Sequence, residues 1–233
     1  MTNHGPNEGG TAGLAQLVLA HYQEDLQWLR EQSWDAVIIY TKGSAWSATD
    51  SDYPKSQLPN IGREAHTYLH HIVTNYDNLA DITIFSQAGL ADHVEDVRVA
   101  SLVRQAAAAR SPGMVGFGLQ GRSFRHWEGI RYYPKWAQQL EAGGMRRAAL
   151  TPGQFYQWAF GEKPPPYIPF YPGAILGVHR HAILARRKSF YGRLLEHFER
   201  LGHSNPEEAH YMERFWVAVF DPGWVERAIS VRR

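Results

Sequence analysis

Three short β-branched runs, set apart by segments with helical spacing, constrain the fold of this chain most. The runs are Leu17-Val18-Leu19-Ala20, Ala36-Val37-Ile38-Ile39-Tyr40 and Ile82-Thr83-Ile84-Phe85. Between the first two, Gln23 to Arg30 carries apolar residues at Leu26 and Leu29. Between the second and third, Gly62 to Tyr76 places Ala65, Leu69, Ile72 and Tyr76 on one helix face. Parallel neighbours need a long crossover, usually a helix. The alternation therefore predicts an α/β fold: a mostly parallel central sheet flanked by helices, Rossmann-like in plan.

The rest of the chain fits one domain over residues 15–233, preceded by a polar, Gly- and Asn-rich tail at 1–14 that is expected to be disordered. Ser44 to Gln57 reads as a loop, and Val94 to Arg110 as a helix. From 111 to 172 Gly, Pro, Trp and Tyr dominate, so this region is expected to form loops and short elements over one end of the sheet. Gly173 to Val178 reads as a further buried strand, with helices near Ser189 to Leu201 and Pro206 to Phe220. Asn205 is the expected N-cap of the last helix, with Pro206 at its first position.

Composition removes several function classes. There is no Cys, which excludes disulfides, thiolate metal sites and a cysteine nucleophile. The net charge of +1 gives no electrostatic case for nucleic acid or a membrane surface. No apolar run approaches the roughly 20 residues of a membrane span, and no signal peptide is visible at the start. The expectation is a cytoplasmic protein acting on a small molecule. The 8 Trp and 12 Tyr exceed what a core needs, and such rings stack on sugars or bases as readily as they fill interiors.

Ligands of open α/β sheets bind beyond the carboxyl ends of the strands, which directs attention to four clusters. After the first strand come His21, Glu24 and Asp25; here the acids also suit a helix start. Before and within the second helix lie Asn60, Gly62, Arg63, Glu64, His66, Tyr68, His70 and His71. Asn60 is a possible helix cap, Gly62 permits close backbone approach, and Arg63 suits bidentate pairing with phosphate. His66 and His70, four apart, have the spacing of two ligands to one metal, or are simply hydrogen-bonded histidines. After the third strand come Gln87, Asp92 and His93, with Asp92 as ligand-facing acid or N-cap. In the last helix Ala209, Met212, Trp216 and Phe220 form the expected buried stripe. Glu213 falls inside it, about 40° from Ala209 at roughly 100° per residue, with His210 at its border. A carboxylate there is expected either in a buried ion pair or as a base. Asp50-Ser51-Asp52 is a DxD-type pair in a polar loop. Walker, Rossmann-glycine and nucleophile-elbow signatures are missing.

Several of these segments together resemble a known family. Leu17 to Leu29, Tyr40-Thr41-Lys42-Gly43, Pro59 to Leu69, Asn75 to Asp81 and on through Phe85, Gln87 and His93, Phe170 to Val178 and Glu208 to Trp216 are similar to the family called domain of unknown function 3431. Its layout resembles nucleotide-sugar-dependent glycosyltransferases of the GT-A type. The resemblance implies a transferase, with Glu24 and Lys42 near the nucleotide and Glu213 near the acceptor. The residues' own placement adds His21, Asn60, Arg63, Glu64, Tyr68 and Gln87 as expected substrate contacts and His210 beside Glu213 as an expected catalytic group. With 12 His and no Cys, a divalent metal, Mn, Mg or Zn, is expected on imidazole and carboxylate ligands, with His66, His70 and His93 the expected ones. The chain departs from GT-A enzymes in having Gln87 and His93 where a DxD would follow the third strand. Two other expectations stand beside it: a different enzyme using a His and carboxylate site, and a non-catalytic protein with a sugar-nucleotide cleft.

Overall fold

The computed structural model describes residues 15–30, 36–43, 53–89, 105–106, 113–117 and 122–224. The expected tail at 1–14, the Asp50-Ser51-Asp52 motif, Asp92, His93 and nearly all of the expected helix from Val94 to Arg110 lie outside these residues.

The described chain opens with β1 (Ala15–His21), a short helix α1 (Gln27–Arg30) and β2 (Ala36–Thr41). Then come β3 (Lys55–Gln57), α2 (Arg63–Asn75) and β4 (Ile82–Gln87). The middle region supplies β5 (Met114–Gly116), β6 (Arg122–Phe124), α3 (Pro134–Glu141), α4 (Pro152–Phe160) and β7 (Ile168–Phe170). The chain then forms β8 (Leu176–His179), α5 (Arg180–Leu184), α6 (Lys188–Leu201) and α7 (Glu207–Phe220).

Six strands form one sheet in the order β3-β2-β1-β4-β8-β5. The pairs β1–β2, β1–β4 and β2–β3 are parallel, and β8 runs antiparallel to both β4 and β5. The fold is α/β with a mostly parallel sheet, and its first half follows the doubly wound order 3-2-1-4. The middle region does more than cover one end, because β5 extends the main sheet while β6 and β7 make a separate ribbon. The last strand starts later than its sequence indicated: Gly173 (φ 89°) and Ala174 (φ 51°) are left-handed, which breaks extended structure there.

The sheet divides two cores, as the two-residue period of a strand requires. Leu17, Leu19, Val37, Ile39, Ile82 and Ile84 face α1 and Ile175. Val18, Phe85 and Val178 face the layer of α2, α6 and α7, where Ala65, Tyr68, Leu194, Met212 and Trp216 meet them. Coverage on both faces explains why the strands read as continuous apolar runs.

Candidate functional site

The three central strands end side by side. Ala20 lies opposite Gln87 and His21 opposite Thr41, so the carboxyl ends of β1, β2 and β4 are in register. The chain leaves β1 toward β2 on one side and later returns to β4 on the other. That divergence opens a crevice at β1, the place where α/β sheets bind ligands.

Two cavities fill the crevice and meet. One, of about 430 Å³, is lined by His21, Tyr22, Glu24, Lys42, Asn60 and Asn205, among others. The other, of about 280 Å³, lies under the middle region and includes Arg122, Arg131, Tyr133, Gly173, His210 and Glu213. Arg63, Glu64, Gln87 and Trp136 line both.

The loop into α2 builds the junction. Gly62 is left-handed at φ 62°, and a Cβ there would stand 2.9 Å from Phe198 Cδ1, so glycine is required twice over. Arg63 is left-handed as well, at φ 50°, a conformation an ordinary side chain adopts at some cost. Partners on three sides hold it. The Arg63 N–H donates to Ser204 O at 3.2 Å, its Nη1 to Asn205 Oδ1 at 3.4 Å, and its Nε to Glu64 Oε2 at 3.4 Å. Its guanidinium carbon sits 5.0 Å from the centre of the Trp136 ring. From below, the buried Lys42 Nζ donates to Ile61 O at 2.6 Å and to the Arg63 carbonyl. Burial draws the Lys42 ammonium down to about 7, with Glu64 opposing and Arg63 reinforcing the shift. Lys42 thus positions the loop that presents Arg63.

Asn205 ties the junction to α7. Its Oδ1 accepts from Arg63 and lies 3.1 Å from His210 Nε2, while its Nδ2 donates to Gln139 Oε1 and Gly144 O, both at 3.2 Å. An oxygen facing Nε2 makes that nitrogen the donor. Burial, then Arg63 and Arg214, press His210 down to about 3, so its ring is neutral. This network corrects the sequence reading of the helix start. Pro206 occupies the cap position, with no side-chain cap bond, because the Asn205 amide is engaged across the cleft instead. Asn60 likewise does not cap α2; Gly62 stands at that position, and Asn60 is an exposed residue on the cavity wall.

Other expected site residues take different places. The Glu24 carboxylate turns back to accept from the N–H groups of Tyr22 (2.7 Å) and Gln23 (3.1 Å), shaping the loop after β1. His21 is locked between Thr41 Oγ1 (3.0 Å) and Glu24 O (3.1 Å). Tyr68, expected at the substrate, is fully buried among Phe85 and Trp216 and donates to Ala174 O at 3.2 Å. It lies on the inward face of α2 and reaches the cleft only through the Gly173–Ala174 turn. Glu213 is not sealed in the apolar stripe: its side chain is 20% exposed, accepts from Gly173 N at 2.8 Å and pairs with Arg214 Nη1 at 2.9 Å. The shoulder of α7 opens onto the smaller cavity there.

Of the expected metal ligands, His66 and His70 are among the described residues and His93 is not. His66 and His70 stack with ring centres 6.2 Å apart, and burial, with Lys42 and His70 adding to it, holds His66 down to about 3. Among the described residues no three His, Cys, Asp or Glu side chains gather as a metal would need, and His93 lies outside them. The described cleft carboxylates, Glu24, Glu64 and Glu213, are each bound to backbone N–H groups or arginine.

The sequence reading missed the wall made by Arg131, Tyr132, Tyr133 and Trp136, and the contribution of Arg122, Asn205 and Arg214. A cluster of rings and cations in a Pro-rich stretch was the available signal. Two of the three large hydrophobic residues exposed among the described residues, Tyr22 and Tyr133, stand on the two cavities.

Residues 17–228 match the family described as protein of unknown function (DUF3431). The chain belongs to that family. The DUF3431 match runs from within β1 to beyond α7 and takes in every described residue that lines the cleft. No curated protein and no solved structure matches the chain. No helix of the described residues is long and apolar enough to cross a membrane.

Proposed function

We propose that this DUF3431 protein is a glycosyltransferase that moves a sugar from a nucleotide-sugar donor to a small-molecule or glycan acceptor. The observation that carries the reading is the junction: two cavities at the switch point of the sheet share Arg63, Glu64, Gln87 and Trp136. A group transfer needs two molecules held side by side, and proximity of this kind supplies much of the rate.

In this reading the donor lies in the larger cavity, with its base toward Tyr22 and its diphosphate at Arg63. A guanidinium forks onto phosphate oxygens and stabilises the charge that develops as the diphosphate leaves. The acceptor lies in the smaller cavity. Its hydroxyl oxygen bonds to the anomeric carbon, the bond from that carbon to the diphosphate oxygen breaks, and the electron pair leaves with the diphosphate. The hydroxyl proton passes to a carboxylate. Glu213 borders this cavity, and each of its oxygens accepts one N–H, which leaves lone pairs for a substrate proton. Neutral His210 and Asn205 keep Arg63 aligned.

Calorimetry against a panel of nucleotide sugars, followed by turnover with candidate acceptors, tests the reading. Glu213→Gln keeps an acceptor for the Gly173 N–H and is expected to lower turnover roughly 100-fold with little loss of donor affinity. Binding without turnover for any acceptor makes this a non-catalytic binding protein. Binding of no nucleotide sugar overturns the proposal.

A further inference from the structure

The two cavities differ in charge. In the larger, among the described residues, Arg63 and the partly charged Lys42 meet Glu24 and Glu64, so there is no cationic excess. In the smaller, among the described residues, Arg63, Arg122, Arg131 and Arg214 face Glu64 and Glu213, with His210 neutral, an excess of two positive charges. The whole chain carries only +1, so the excess is local.

The arginines are not equally free. Arg214 donates to Glu213 and to His210 O at 2.6 Å, and Arg63 is held by Asn205 and Glu64. Arg122 uses one N–H on Tyr133 Oη at 2.8 Å. Arg131 has no ion-pair or hydrogen-bond partner among the described residues. Tyr133, with 65% of its surface exposed, extends beside them as a flat apolar face. Exposed guanidinium groups beside an exposed ring fit a ring-shaped ligand that carries an anionic group.

We infer that the smaller cavity selects an acceptor bearing an anionic group, carboxylate or phosphate, held by Arg122 and Arg131 with its ring against Tyr133. As an acceptor site it rests on the transferase reading. As an anion site it rests on the arginines alone. The size of the cavity, at the low end for ligand pockets, suits a single ring and its substituent.

Ligand-observed NMR titrations with glucose, glucuronate and glucose 6-phosphate test it, with uridine diphosphate as the probe of the larger cavity. Both anionic sugars are expected to bind at least tenfold more tightly than glucose, and added salt should weaken them. Preference for one of the two anions identifies the acceptor group. Replacing both arginines, Arg122→Ala with Arg131→Ala, should abolish the preference and leave uridine diphosphate affinity within about twofold. Equal binding of neutral and anionic sugars, or a preference that survives the double substitution, overturns the inference. So does a double variant that loses uridine diphosphate instead, which would assign the arginines to the donor. Arginine-dependent anionic-sugar binding with no nucleotide binding leaves the anion site standing and sinks the transferase reading. Nucleotide binding with no anion preference does the reverse.

Discussion

The guanidinium of Arg63 packs on the face of Trp136, 5.0 Å from the ring centre, and so fastens the first turn of α2 to α3 across the cleft. Both residues line both cavities, so this contact forms the partition between them. Their backbones come from segments more than seventy residues apart, which makes the partition a product of the folded chain.

The strain at Arg63 gives a first expectation. A left-handed L-residue costs about 1–2 kcal/mol, and the cation–π contact returns about 0.5–1 kcal/mol at exposed sites. Arg63→Gly removes both, so unfolding free energy should stay within about 1 kcal/mol of wild type, since glycine also loosens the unfolded chain. Uridine diphosphate binding should weaken at least tenfold. A variant that loses far more stability in urea denaturation would show that Arg63 serves the fold and not the cleft.

Gly62 should tolerate no side chain. Alanine there must adopt φ 62° and place its Cβ 2.8 Å from His66 Cβ and 2.9 Å from Phe198 Cδ1. The left-handed conformation and the overpacking each add about 1–3 kcal/mol, so Gly62→Ala should lower the urea midpoint by an equivalent of about 2 kcal/mol or more. A loss under about 0.5 kcal/mol would mean that the loop into α2 can shift freely.

Tyr68→Phe should act on the cleft from behind. It deletes the donor to Ala174 O, in a turn already left-handed at Gly173 and Ala174. A buried carbonyl left unpaired costs about 1–3 kcal/mol. The same turn supplies the Gly173 N–H that holds Glu213. Stability should therefore fall by about 1–2 kcal/mol, and turnover should fall with it at saturating donor. Normal turnover in the destabilised variant would confine Tyr68 to the core.

Acid should destabilise the fold well before ordinary carboxylates titrate. Burial holds His66 and His210 at about 3 and His71 at about 4. In the unfolded chain each titrates near 6.5. Between those values the unfolded state binds protons that the folded state refuses, so stability drops as pH falls from about 6.5 toward 4. Each histidine adds up to about 1.4 kcal/mol per pH unit, and above pH 6.5 the three contribute no slope. Buried Lys42, at about 7 against about 10.4 in the unfolded chain, adds the same sign of slope above pH 7. Thermal melts from pH 8 to pH 5 should therefore decline throughout, and below pH 6.5 less steeply in His210→Gln. A flat profile to pH 5 would mean these rings are solvated.

Much of the scaffold was legible because its signals are local. Burial on both faces writes continuous apolar runs into β1, β2 and β4, and the inward face of α2 carries the helical period. By contrast, α7 is buried nearly all round, with Glu213 and Arg214 its two half-buried residues. The expected stripe of Ala209, Met212, Trp216 and Phe220 is buried as its spacing requires. The placing of Gln87 and His21 at strand ends followed from the same reasoning, since the end of a run marks the edge of a sheet.

What the sequence left open is where polar side chains at those edges point, because that depends on partners far along the chain. Glu24 turns back on its own loop, and Asn205 leaves the helix cap to join Arg63 and His210. Tyr68 sinks inward to hold Ala174, while Glu213 emerges from a stripe that spacing alone would bury. The wall from Arg131 to Trp136 lies far in sequence from the strand ends it covers, with no period to announce it. Hydrophobic burial alone selects the sheet and its helices. The cleft is decided by hydrogen bonds and ring contacts between segments that only the tertiary fold brings together.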